Sequence, residues 1–195
     1  MSNFAENTSI WDIKIDTDEG LRQLHSFLEA GHDPDEIGKV AGYYPGTRLV
    51  EASMNRNQRA IELLIQFGAD VNYGGDRHDD EGGLHIGLGS PLLVATGLGY
   101  LEICDYLISY GANANLANLR HAFPGTLNIP NIVASPLHRA AENGHAAIIQ
   151  LLMEHGANAE IAVDTFPVGG KCDTAIAAAS RGGHFEAVQA LVEGG

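Results

Sequence analysis

The 195-residue sequence predicts an all-α solenoid of stacked helix–turn–helix units joined by extended, hairpin-like loops. Three observations predict it. A frame of Ser or Thr, small residues, an aliphatic row and a closing Gly recurs four times, and internal self-similarity at such a period marks a repeat architecture. The distance from the opening Ser/Thr to the closing Gly is 21 residues in every copy: Thr47 to Gly68, Ser90 to Gly111, Ser135 to Gly156 and Thr174 to Gly195. Hydrophobic residues make up 45% of the chain and charged ones 18%, enough apolar surface for a continuous core in a single domain.

Taken in order, residues 1–15 do not match a first helix. They are expected to form an irregular cap in which Trp11, beside Ile13 and Ile15, covers the first apolar face. Leu24, Phe27-Leu28 and Gly31 fit the second half of a repeat. The second unit runs from Thr47 through Ala52 to Ile61, Leu63-Leu64-Ile65 and Gly68-Ala69-Asp70. The third runs from Ser90-Pro91-Leu92 through Ala95 and Gly99 to Ile103, Tyr106-Leu107-Ile108 and Gly111-Ala112-Asn113. The fourth is the clearest, from Ser135-Pro136-Leu137-His138 through Ala140-Ala141 and Gly144-His145 to Ile148, Leu151-Leu152 and Gly156-Ala157-Asn158. The fifth runs from Thr174 through Ala179 and Gly183-His184 to Val188, Leu191-Val192 and Gly195. Approximate units are 1–34, 35–72, 73–115, 116–160 and 161–195.

Each recurring residue has a physical role. The Ser/Thr hydroxyl accepts an orphan amide at the start of the first helix, and Pro fits its first turn, where a missing donor costs nothing. Ala pairs let the two helices approach. The mid-unit Gly ends the first helix and the later Gly ends the second by adopting positive φ. The Ile/Val/Leu rows bury one face of the second helix against its neighbours, because one helix pair cannot cover that face alone.

These motifs resemble the ankyrin repeat, with its T-P-L-H-x-A-A-x-x-G-H opening, its I-V-x-L-L row and its G-A-D close. About four full repeats and an N-terminal half repeat cover Asp16 to Gly195. Arg56 departs from the pattern at the mid-repeat Gly, and Val50, Leu93 and Ala177 stand where the family carries His. His138, His145 and His184 hold signature positions and are expected to serve as structural hydrogen-bonding groups. The last unit offers Ala177, Ala178, Phe185, Ala187, Val188 and Leu191 in an internal pattern rather than a polar cap. Either more repeats are expected after Gly195, or that face binds something, self-association included.

From closing Gly to next Ser/Thr, the connections 31–47, 68–90, 111–135 and 156–174 span 16, 22, 24 and 18 residues, against roughly 12 in a 33-residue unit. The resemblance implies that partners bind the concave face of first helices and loops. Candidate contacts are therefore Tyr43, Tyr44, Met54, Asn55, Arg77, His78, Asp79, Asp80, His85, Leu98, Arg120, His121, Phe123, Glu142, Asn143, Phe166 and Arg181. Tyr44, Phe123 and Phe166 each adjoin a Pro, which suits rigid aromatic anchors. The same rings also suit a small core within each loop.

Charge narrows the partner. With 25 acidic and 11 basic residues the net charge is −14, which disfavours nucleic acid and anionic membranes and favours a protein with a cationic contact face. His78, Asp79, Asp80, Glu81 and His85 have metal-ligand chemistry. Their Gly-flanked loop lacks helical i, i+4 spacing, so they read as a solvated acidic loop. No cofactor or metal is expected. No G-x-S-x-G, phosphate-loop or H-E-x-x-H motif appears, so no catalytic residue is assigned. Cys104 reads as a small core residue, and Cys172, beside Lys171, lies in a loop. Two cysteines form no disulfide framework, and the first ten residues lack a basic and apolar leader pattern. The expectation is a cytoplasmic binding protein, in its sharpest form a stoichiometric inhibitor or immunity-type protector. A scaffold that binds peptide segments is the alternative.

Overall fold

The computed structural model describes residues 9–40, 44–74, 77–78, 84–85, 89–116, 118–120, 132–161, 163–164 and 172–195. A single 3-10 turn, Ile10–Asp12, precedes α1 (Asp18–Glu29). The first helices of the units are α2 (Arg48–Met54), α4 (Pro91–Leu98), α6 (Pro136–Glu142) and α8 (Ala175–Gly182). The second helices are α3 (Gln58–Gln66), α5 (Leu101–Ser109), α7 (Ala146–Glu154) and α9 (Phe185–Gly194). Antiparallel strand pairs precede each first helix: β1 (Gly38–Val40) with β2 (Tyr44–Gly46), β3 (Arg77–His78) with β4 (Leu84–His85), β5 (Asn118–Arg120) with β6 (Ile132–Ala134), and β7 (Val163–Asp164) with β8 (Cys172–Asp173). The long connections are thus hairpins, and Cys172 belongs to a strand of the fourth rather than to an irregular loop.

First helices pack in succession, α2 on α4, α4 on α6 and α6 on α8, while α5 packs on α7 and α7 on α9. The starts follow the motif. Thr47, Ser90, Ser135 and Thr174 accept the amides of Val50, Leu93, His138 and Ala177 at 3.1–3.4 Å. Gly99 ends α4 at φ 77°, a conformation that costs an L side chain about 1–2 kcal/mol. Arg56 holds the equivalent position at φ 52°, with its guanidinium on the Glu102 carboxylate of the next unit and over the Tyr100 ring.

The aliphatic rows form the core. Ile61, Leu64, Ile103, Leu107, Ile148, Leu152 and Leu191 are buried, as are Ala52, Ala95, Ala140 and Ala179, whose small size lets first and second helices approach. Cys104 lies in this core, where burial pushes its thiol up to about 12.

The N-terminal cap carries a 3-10 turn in place of a first helix. Ile10, Ile13 and Ile15 enter the core, while Trp11 lies over the Gly38 backbone and the Arg48 guanidinium, 4.6 Å from its ring, and donates from Nε1 to the Glu36 carbonyl at 3.1 Å. Trp11 is partly buried against the core and also closes the side of the cap against β1. Arg48, which stands where the repeat carries Pro, holds this cap. Its buried guanidinium donates to the Ile10 carbonyl at 2.7 and 3.0 Å and to the Ile13 carbonyl, and also meets Glu51. Those bonds fix the 3-10 turn in place of a first helix.

A second ladder joins the closing turns. The Asn72 amide donates to the Gly111 carbonyl at 3.2 Å and its carbonyl accepts the Asn113 amide at 2.8 Å. Asn115 repeats both bonds one unit later, to Gly156 at 2.9 Å and from the Asn158 amide at 2.7 Å. At the N-terminal end of this row Asp35 accepts the Asp70 amide at 3.0 Å, but as a carboxylate it has no N–H to donate, and its Oδ1 is buried without a partner among the described residues. At the other end the row carries Glu160.

The last unit corrects the sequence reading. Ala178, Ala187 and Leu191 are buried and Val188 is half-buried against the preceding unit. Ala177 and Phe185 (73%) are exposed as expected, and Ile176 (41%) and Val192 (64%) join them. Ile176 is equivalent to Leu49, Leu92 and Leu137, which lie inside the stack because a following unit covers them.

Candidate partner-binding face

Three of the four hairpins deliver the chain directly to the N-terminus of a first helix: Gly46 precedes Thr47, Ala134 precedes Ser135 and Asp173 precedes Thr174. The hairpins therefore border one end of the first-helix row. The turns to the second helices border the other end, about 10–12 Å away for helices of seven or eight residues at 1.5 Å per residue.

The structure distributes the sequence-predicted contacts over these borders. Tyr44, Arg77, His78, His85 and Arg120 lie in the strands, where the backbone pairs Val40 with Tyr44, Arg77 with His85, His78 with Leu84 and Arg120 with Ile132. Met54, Leu98 and Glu142 end the first helices, Asn55 and Asn143 cap them, and Arg181 lies one residue before the end of α8. Tyr43, Asp79, Asp80, His121, Phe123 and Phe166 lie outside the described residues, as does most of the acidic stretch of the second connection.

Between the borders, the solvent-facing positions of the first helices are spaced three apart: Glu51 and Met54, Val94 and Gly97, Arg139 and Glu142. Their charges are matched. Arg48 pairs with Glu51, Arg139 with Glu142 at 2.8 Å, and Arg181 with the buried carboxylate of Asp173. Asn143 donates to the Arg139 carbonyl at 2.9 Å, and the Arg139 stem lies over Gly97, where a Cβ would approach it to 3.1 Å. The sequence reading missed Val94, Arg139 and Asp173. Their signal was the position itself, four residues past the cap for Val94 and Arg139 and one before it for Asp173.

Part of the acidic surplus sits on the second helices. Second helices α5, α7 and α9 carry Glu102, Asp105, Glu154, Glu186 and Glu193 and no Lys or Arg. The first-helix row presents a neutral mosaic, and the second-helix side presents net negative charge.

The histidines divide. His184 Nε2 lies 3.1 Å from the Glu142 carbonyl, a bond to the preceding unit. His145 packs its ring over Gly99, where an added Cβ would fall 2.8 Å from the imidazole, so its described contact is steric. His138 is buried with Nδ1 unpaired among the described residues, and burial pushes its pKa below the usual imidazole value. Among the described residues no three His, Cys, Asp or Glu side chains come together as a metal site. No helix among them is long and apolar enough to cross a membrane.

Stacked helix pairs joined by hairpins define a repeat solenoid of the protein-interaction class. Family models agree: residues 89–119 match the ankyrin repeat, and residues 125–195 match ankyrin repeats in three copies. The chain belongs to the ankyrin-repeat family and is a protein–protein interaction module. Its sequence is 27% identical over 167 residues to a glycerophosphocholine phosphodiesterase of Candida albicans, covering 82% of this chain and 12% of that protein. It is 29% identical over 149 residues to an ankyrin repeat and KH domain-containing protein of Caenorhabditis elegans, covering 76% and 5%. It is 34% identical over 83 residues to human protein phosphatase 1 regulatory subunit 27, covering 43% and 47%. The chain thus spans less than half the length of each of these relatives.

Proposed function

We propose that this chain is a non-enzymatic binding module that grips one folded protein, with a cationic contact face, through its first helices and long hairpins. In its sharpest form it is a stoichiometric inhibitor or immunity-type protector. The observation that carries the reading is the repeated placement of an extended hairpin at the entrance of each first helix, beside a row of half-exposed residues free of metal-ligand clusters among the described residues. The acidic residues of the second connection, Asp76, Asp79, Asp80 and Glu81, support the cationic partner, and similarity to a phosphatase regulatory subunit over 43% of the chain supports a regulatory role. Cytoplasmic residence and a single domain over residues 1–195 belong to the same proposal.

The test is stoichiometry and footprint with the co-purifying partner. A one-to-one complex by light scattering, weakened at least tenfold by Val94→Arg or Arg139→Glu with the melting temperature retained, is the expected result. Several peptide ligands in place of one folded protein would favour the scaffold reading. That alternative draws on relatives in which the matched region is 5–12% of a long chain. Self-association through the C-terminal repeat is a separate proposal resting on exposed Ile176 and Val192. Scattering mass that rises with concentration for the parent and not for Val192→Glu supports it, and a monomer throughout removes it.

A further inference from the structure

The position three residues after the cap of each first helix holds Val50, Leu93, His138 and Ala177 in turn. Val50 and Leu93 are buried, His138 is 3% exposed, and Ala177, in the last unit, is exposed. The following unit is therefore what covers this position. At the joint between the fourth and fifth units it covers an imidazole, where the two earlier joints cover aliphatic side chains. His138 Nδ1 is buried there with no hydrogen-bond partner among the described residues.

Four charged side chains act on the ring. Arg139 and Glu142 belong to its own helix, Asp173 comes from β8 and Arg181 from α8. Both carboxylates are already committed: the buried Asp173 to Arg181, and Glu142 to Arg139 at 2.8 Å. The four charges sum to zero. A neutral imidazole fits that balance, whereas a proton on it adds a fifth, uncompensated charge at a site shielded from water. Among the described side chains nothing else nearby offsets it: α4, on the other flank of α6, carries no titratable group, and the one charged side chain of α7, Glu154, is exposed. Burial pushes the imidazole below its ordinary value, the carboxylates of Glu142 and Asp173 oppose that shift, and the guanidiniums of Arg139 and Arg181 reinforce it.

We infer that this joint is an acid-sensitive clasp: the fifth unit stays docked while His138 is neutral and comes away from the fourth when His138 is protonated. In a stack each unit is held by its neighbours, and α8 and α9 pack on α6 and α7. Weakening that one joint therefore opens the fifth unit before the rest of the stack. Opening bares His138 to water, as Ala177 is bared, and there the imidazole takes a proton at its ordinary value. Because the docked value lies below the undocked one, the contribution of His138 to docking is fully present above pH 6.5 and is lost as pH falls through the docked value. The inference does not depend on which partner the first-helix face takes, although the fourth hairpin and Arg181 leave that face together with the unit.

Amide hydrogen exchange of the full 195-residue chain at pH 7.5 and 5.5, corrected for the intrinsic rate at each pH, reads the opening unit by unit. Opening of α8 and α9 is expected to rise about three- to tenfold at pH 5.5, tenfold being roughly the limit for one proton taken up below 6.5. Protection of α3, α4 and α5 is expected to stay unchanged. His138→Leu, which installs the residue of the third unit, abolishes the rise, whereas His184→Gln, which removes the imidazole bonded to the Glu142 carbonyl across the same joint, keeps it. The His138 ring of the parent chain, followed by NMR, is expected to titrate below 6.5, a readout that needs no variant to fold. Absence of the rise, a rise shared equally by all units, a rise undiminished in His138→Leu, or a His138 ring that titrates at or above 6.5 would overturn the inference.

Discussion

Asp35 to Asn changes one atom pair and completes one rung of the closing-turn ladder. In the two intact rungs, the Asn72 and Asn115 amides donate to the glycine carbonyl of the next unit while their carbonyls accept the amide two residues further on. Asp35 makes only the accepting half, from Asp70, and its Oδ1 is buried and unpaired among the described residues; by the register of the other rungs the Gly68 carbonyl is the acceptor an amide here would meet. Burial accordingly raises its pKa, with the Asp70 amide opposing. A neutral hydrogen bond gained is worth about 1 kcal/mol, and relief of a buried unpaired oxygen adds to it, so stabilisation of about 1–1.5 kcal/mol is expected at pH 7. For a chain of this length that raises the melting temperature by about 2–6 °C. The pH dependence supplies the second arm. A carboxyl whose folded pKa is raised contributes stability that is fully present below its unfolded value of 3.8 and lost as pH rises through the folded value. Protonated Asp35 can donate as Asn does, so the advantage of the variant should shrink at pH 3.5. Thermal melts of parent and variant at both pH values measure this. Asp33→Asn serves as control, because it removes the same charge while keeping the acceptor for the Asp35 amide. An Asp35→Asn protein no more stable than the parent at pH 7, or a gain matched by the control, would refute the reasoning.

Two further outcomes follow from the ends and turns of the stack. Arg48→Met keeps the stem that packs on Trp11 but leaves the Ile10 and Ile13 carbonyls without their donor, and denaturant melts should show a loss of about 2–4 kcal/mol. A loss below about 1 kcal/mol would show that the cap does not depend on the guanidinium. Arg56→Gly relieves a left-handed side chain but removes an exposed ion pair with Glu102, worth little. A net gain of about 0.5–1 kcal/mol is expected, and a loss larger than 1 kcal/mol would assign the inter-unit pair a structural role.

The stack was legible because the repeat is a local code. Ser135-Pro136 states where a helix begins, Gly144 where it ends, and the constant 21-residue interval fixes the register of each unit on the next. Those signals act over one or two helical turns, where capping and backbone sterics outweigh distant contacts. What remained hidden depended on residues far apart in sequence. Arg48 reaches 38 residues back to Ile10, and no spacing rule announces that a guanidinium replaces Pro in order to hold a shortened first unit. Val188 and Leu191 read identically to their internal counterparts, and only packing against α7 decided that they turn inward while Ile176 and Val192 face solvent. Charge behaved the same way. The sequence supplied the net −14, but the pairing of Arg139 with Glu142 and of Arg181 with Asp173, which neutralises the inner face, exists only once the chain has folded. Backbone geometry is dictated locally, so the sequence determined it. Which side chain covers which surface is decided by contacts between units, so that waited on the tertiary structure.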